Sequence, residues 1–145
     1  LLKPSWAAGS AALYLLMGVI GLPVFARGGS GPGYILGPTG GFLLAFLPAV
    51  FLTSLISHIG PRGAERKLTR FAHDFVALIA GLSIVYLLGT LWFWYRIMPE
   101  SDLLSVLQIV VLPFLFFDFI KIILAAFLAL VLRPLLQRGG GGREN

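Results

Sequence analysis

The chain has 145 residues, 58% of them hydrophobic, and a mean hydropathy of +0.94. That is the length of one domain, yet far more apolar than a soluble domain can hide from water, so lipid must cover it. The absence of cysteine excludes disulfides, thiolate metal sites and cysteine nucleophiles. His58 and His73 have no carboxylate cluster around them, which argues against a metal site, and no other cofactor is implied. The net charge of +5 resides at the ends of apolar runs. That pattern marks membrane topology and argues against nucleic acid as a partner.

The chain opens Leu1-Leu2-Lys3-Pro4 without an initiator methionine, so further N-terminal spans are expected to precede it. The first apolar run is too long, with the wrong flanks, for a cleavable signal. It extends from Ser5 to Phe25, enough to cross about 30 Å of hydrocarbon at about 1.5 Å per residue. Ser5 is its candidate cap, and Gly9, Gly18 and Gly21 let another backbone approach. Tyr14 carries a hydrogen-bonding group at mid-depth and is a candidate ligand contact.

From Pro23 to Gly41 the sequence reads PVFARGGSGPGYILGPTGG. Such a stretch is no regular helix, and its backbone groups need the interface or a protein-lined cavity. Its glycines let main-chain amides reach a ligand. The lysine that a phosphate-binding loop requires is missing, which excludes that motif. The apolar Tyr34, Ile35 and Leu36 need a surface to cover.

A second span runs from Phe42 to Ser57. Thr39 is placed as its N-cap, and the helix start at Thr39, Gly40 and Gly41 offers amides to a carboxylate. The basic loop HIGPRGAERKLTR follows and is cytoplasmic by the positive-inside rule. The third span, Phe71 to Ile97, has Asp74 at the interface near its start. Trp92, Trp94 and Tyr95 form an aromatic belt at its far end. Pro99, Glu100, Ser101 and Asp102 then make an acidic outer turn. The run from Leu103 to Leu112 is too short to cross and reads as an outer half-helix ended by Pro113. The last span reaches from about Phe116 to Leu136. Arg133, Arg138 and Arg143 place the C-terminus in the cytoplasm, and residues 138–145 read as a disordered tail.

Asp118 and Lys121 interrupt this last apolar run, on one face of a helix. Each costs about 2.5–3.5 kcal/mol at a bilayer centre, while an i,i+3 pair returns only about 0.2–0.5 kcal/mol. A polar ligand site opening toward the outer surface accounts for the difference. The glycine-rich loop lies on that same outer side, so the two polar features are expected to converge on one pocket. A pair that only fixes helix packing in a structural membrane subunit, or one that forms a proton or ion pathway, remains open at this point.

Two segments closely resemble the signatures of the BioY family, the biotin-binding S components of energy-coupling-factor (ECF) transporters. They are GLPVFARGG at Gly21–Gly29 with GYILGPTGGF at Gly33–Phe42, and LPFLFFDFIKIILAA at Leu112–Ala126, with Asp118 and Lys121 at the family's Asp and Lys. The sequence departs at Arg27, where the family has a small residue, and at Phe116-Phe117, where it has Pro-Gly. The resemblance implies an all-α integral membrane protein with a six-helix fold. These residues supply its last four spans, a short outer half-helix and a Gly/Pro-rich outer loop, all in one membrane domain over residues 1–145. It further implies a transport subunit, not an enzyme, in the cell membrane. That subunit captures biotin from outside and delivers it inward with a transmembrane coupling subunit and two ATPases. The missing spans would carry the small-residue motif that docks the coupling subunit. Asp118, Lys121, Thr39, Gly40, Gly41, Tyr34, Tyr14 and Tyr86 are the expected biotin-binding residues. The aromatic ones would cover the ring, and the amides at 39–41 would receive the carboxylate tail.

Overall fold

The computed structural model describes residues 3–60 and 67–140, with side chains for residues 3–60 and 68–132. It is nearly all helical: α1 Pro4–Val19, α2 Pro32–Leu36, α3 Gly40–Ile59, α4 Lys67–Ile97, α5 Leu103–Val110 and α6 Leu112–Gly140. Among the described residues three helical stretches are long and apolar enough to cross a membrane: Gly40–Ile59, Leu68–Ile97 and Leu112–Leu132. The first expected span falls short of that length. α1 has 16 residues, or about 24 Å at about 1.5 Å per residue.

Glycine ends α1 early. Gly21 takes φ +112°, a conformation that other residues rarely adopt. Its N–H donates to the Gly18 carbonyl at 3.3 Å and the Leu22 N–H donates to that of Met17 at 3.0 Å, the paired bonds of a Schellman stop. At the other end Lys3, not Ser5, is the N-cap. Pro4 begins the helix, with its ring preset for that position and no N–H to satisfy.

The loop after α1 folds back on it. Gly31 N–H donates to the Gly18 carbonyl at 2.7 Å, and Phe25, 3% exposed, lies over Gly18. A Cβ on Gly18 would sit 2.0 Å from that ring, so only glycine leaves room. Tyr14 meets the Phe25 ring edge-on at 5.7 Å and Tyr34 stacks on it at 5.4 Å. The expected non-helical stretch therefore contains the short helix α2 and covers α1 with its own aromatic residues.

α3 and α4 pack through small residues, which lets their backbones approach closely. Ala45, Ala49 and Ala77 are all buried, Gly81 faces Thr53 and Ala49, and Gly89 faces Phe42. At the far end of the same interface Asp74 is 3% exposed, sunk between the two helices. Ser57 Oγ donates to its carboxylate at 2.7 Å, Arg70 Nε lies 3.8 Å away, and Arg70 Nη2 donates to the Ser57 carbonyl at 2.8 Å. His73 Nε2 meets the Ile56 carbonyl at 2.7 Å; the carbonyl can only accept, so that nitrogen carries the proton. A carboxylate with these partners lies between the helices at less cost than one facing lipid. The basic connection at 61–66 lies outside the described residues.

α5 is capped by Asp102, which accepts from Ser105 N–H at 3.2 Å and Ser105 Oγ at 2.6 Å. The Ser105 hydroxyl and amide hold the Asp102 carboxyl below its usual value. The half-helix is present, but Pro113 does not end it: α5 stops at Val110, and Pro113 lies in the first turn of α6. Proline suits that position because its missing N–H would have no helical partner there. α6 accordingly begins at Leu112, ahead of the expected Phe116, and continues to Gly140. Of the expected tail, residues 141–145 lie outside the described residues.

Candidate functional site

The polar cluster joins α4 to α6. Asp118 lies in the second turn of α6, close to the turn that connects it to α5. Lys121 Nζ donates to Asp118 Oδ1 at 2.8 Å, and the Tyr86 hydroxyl on α4 donates to Asp118 Oδ2. The Asp118 side chain is 19% exposed and that of Lys121 74% exposed. The carboxylate is thus sunk between two helices, while the ammonium stands proud of them. Each carboxylate oxygen has two lone-pair sites and one protein donor, so acceptor capacity remains beside an exposed donor. The Phe75 and Phe119 rings meet edge to face at 6.0 Å and pack α4 against α6 in the same region.

The other expected site residues form a separate group. Tyr14 donates to the Val24 carbonyl at 3.3 Å and Tyr34 to that of Ala26 at 2.8 Å, so both hydroxyls close the glycine-rich loop. Thr39 occupies the N-cap of α3, but its side chain makes no capping bond there. Gly40 and Gly41 are buried by close packing. A Cβ on Gly40 would lie 1.6 Å from the Ile35 carbonyl oxygen, and one on Gly41 2.2 Å from Trp92 Cβ.

The loop and the Asp118–Lys121 pair are both tied to α4, the first through Trp92 and the second through Tyr86. Among the described residues α2 packs on α1 and α3 and has no close helix contact with α6, while the loop is bonded to Trp92 of α4. Trp92 Nε1 donates to the Gly37 carbonyl at 3.1 Å, a link of 55 residues in sequence. Glycine is thus required at both positions for close packing, against backbone at Gly40 and against the Trp92 side chain at Gly41. α4 is the common element: Trp92 holds the loop, and Tyr86, about 9 Å lower along the helix axis, holds Asp118.

Sequence reasoning placed Trp92 in an interfacial belt and missed its bond to the loop. It also missed the burial of Asp74, although the i,i+4 spacing of Arg70 and Asp74 is a signal present in the sequence. A groove of about 370 Å³ between α3 and α4, beside Trp92 and Tyr95, has no charged lining residue. Thr90, one turn above Tyr86, is 3% exposed, and its hydroxyl has no hydrogen-bond partner among the described residues.

Fold and site define a multi-pass helical membrane protein with an acid–base pair set into the apolar surface of its last helix. The chain belongs to the BioY family, whose model matches residues 1–138. It is 36% identical over 124 residues to the biotin transporter BioY of Thermotoga maritima, covering 86% of this chain and 67% of that one. It is 38% identical over 120 residues to the biotin transporter BioY2 of Lactococcus lactis, covering 83% of this chain and 61% of that one. Among solved structures it resembles the S-component for biotin from an ECF-type ABC transporter. The TM-score is 0.74 at 28% identity, covering 92% of this chain and 68% of the other. The chain therefore spans about two thirds of the length of these relatives.

Proposed function

We propose that this chain is the biotin-recognising part of an ECF-type uptake system, with Asp118 and Lys121 reading the ureido group. The observation that carries the reading is the 2.8 Å spacing of an acceptor and a donor, Asp118 Oδ1 and Lys121 Nζ, in a family whose relatives are named biotin transporters. In a cyclic urea, one ring N–H and the carbonyl lie side by side on one edge. A carboxylate beside an ammonium is the complement of that edge, giving two charge-assisted bonds in surroundings of low dielectric. This assigns the ligand's urea to Asp118 and Lys121 and frees its carboxylate for another partner.

In this reading the chain performs no covalent chemistry. It takes biotin from the outer side of the cell membrane, with its C-terminus in the cytoplasm. A transmembrane coupling subunit and ATPase subunits supply the energy for inward delivery. Residues 1–145 act as part of one membrane domain. Gly40, Gly41, Tyr34 and Tyr14 then contribute by holding the outer loop closed, because their contacts are made within the loop and its supporting helices, while Thr39, whose side chain makes no capping bond, keeps a hydroxyl to offer the ligand.

Equilibrium binding of tritiated biotin to the chain in lipid nanodiscs tests the assignment, with two competitors. Biotin amide, which keeps the urea and loses the tail charge, is expected to displace the label. Biotin methylated on the ureido nitrogen is expected to displace it poorly. Saturable binding blocked by neither compound, or no saturable binding at all, would overturn the proposal.

A further inference from the structure

We infer that Tyr86 is a positioning residue that aims the Asp118 carboxylate and acts on the ligand through it; this rests on biotin being the ligand. Asp118 and Lys121 are neighbours on one helix, so their contact alone leaves the carboxylate free to rotate about its terminal torsion, which is broad and roughly two-fold. Tyr86 removes that freedom. Its hydroxyl reaches across 32 residues of sequence, from α4 to α6, and takes Asp118 Oδ2. With Oδ2 claimed from one side and Oδ1 by Lys121 from the other, the carboxylate plane is fixed by two donors on different elements.

Two consequences follow for recognition. Only the lone pairs that these donors do not occupy can accept a ligand N–H, so the carboxylate offers a defined direction. Lys121 keeps N–H groups beyond the one spent on Oδ1 and carries them on a largely exposed side chain, next to that direction. The donor–acceptor edge exists as a rigid unit because Tyr86 braces its acceptor half. A tyrosine that merely covered the ligand's ring would not direct its hydroxyl at the carboxylate. Preorganisation of this kind adds affinity by removing freedom before the ligand arrives.

The test is a double-mutant cycle with Tyr86→Phe and Asp118→Asn in nanodiscs, read by biotin binding and by infrared spectroscopy of the ligand-free protein. Tyr86→Phe keeps the ring and removes the hydroxyl. It is expected to weaken biotin binding about tenfold in the parent, the equivalent of about 1.4 kcal/mol, and less than twofold once Asp118 is Asn. It is also expected to shift the carboxylate stretching band that Asp118→Asn abolishes, an effect a ring-packing role would not produce. Should binding by Asp118→Asn be too weak to follow, the comparison of biotin with its ureido N-methyl analogue replaces that arm. Tyr86→Phe should then lose affinity for biotin and leave the analogue unchanged. Equal losses in both backgrounds with an unmoved band would overturn the positioning role. A parent that binds no biotin while the band still shifts overturns biotin as the ligand and leaves the brace intact.

Discussion

Exchanging the two charges, Asp118→Lys with Lys121→Asp, separates recognition from packing. The pair sits at i,i+3 on α6 and is bridged at 2.8 Å, so the exchanged residues can still meet on the same face. A tyrosine hydroxyl can accept as well as donate, so Tyr86 can still engage residue 118. If the pair served only to neutralise charge within the bundle, stability should change by no more than the pair is worth, about 0.2–0.5 kcal/mol. Recognition behaves differently, because the acceptor and donor have traded places. A ligand N–H then faces an ammonium, and its carbonyl faces a carboxylate. Two charge-assisted bonds, each worth about 1.5–3 kcal/mol, are lost together. That sum of about 3–6 kcal/mol corresponds to roughly two to four decades in Kd. Turning the urea over would restore the match but would send the ring and tail in the opposite direction. The assays are tritiated biotin binding in nanodiscs and thermal melting followed by circular dichroism. A charge-exchanged protein that melts with the parent and binds within tenfold of it would refute the reasoning.

Two further substitutions test the frame around the site. Gly40→Ala places a methyl 1.6 Å from the backbone oxygen of Ile35, which cannot turn aside as a side chain can. The loop should detach from α3, seen as faster amide exchange at Tyr34–Gly37, while exchange in α6 stays as in the parent; unchanged loop protection would count against the close approach. Thr90→Val is nearly isosteric and removes a buried hydroxyl with no partner among the described residues. An unsatisfied buried polar group costs about 1–3 kcal/mol, so melting should shift upward; a fall in melting temperature would show that the hydroxyl is bonded in the membrane.

The sequence disclosed the features that depend on neighbours along the chain. Asp118 and Lys121 stand three residues apart in an apolar run, so a shared face follows from helix geometry alone. The half-helix was legible in the short run after the acidic turn, whereas the first span was drawn through to Phe25 and the stop that Gly21 imposes was not foreseen. Where a residue type has two physical uses, the letters could not choose between them. Pro113 can stop one helix or start the next, and it starts α6. Gly40 and Gly41 can open a backbone to a ligand or to another backbone, and here Ile35 and Trp92 fill the space. Contacts set by how helices cross were the least accessible. Tyr86 meets Asp118 and Trp92 meets Gly37 only because α4 lies against both α6 and the loop.

That division of contacts bears on which experiments are decisive. α3 and α4 are joined by alanines, glycines and a buried carboxylate network along their length, so their relation is overdetermined. α6 is seated differently: Ile122 and Ala126 are buried, while Phe114, Phe116, Phe117 and Phe119 are all more than half exposed. Near its N-terminal end the bond from Tyr86 to Asp118 ties α6 to α4 and, in the proposed reading, also belongs to the ligand-reading unit. Deleting either charge therefore changes two things at once, since it removes a ligand partner and leaves the other charge in an apolar setting, where uncompensated charge is costly. Loss of binding in Asp118→Ala or Lys121→Ala would fit either role. The charge exchange keeps the net charge of the pair while swapping donor and acceptor and reversing the Tyr86 bond, so a selective loss of binding with melting preserved points to recognition rather than to packing.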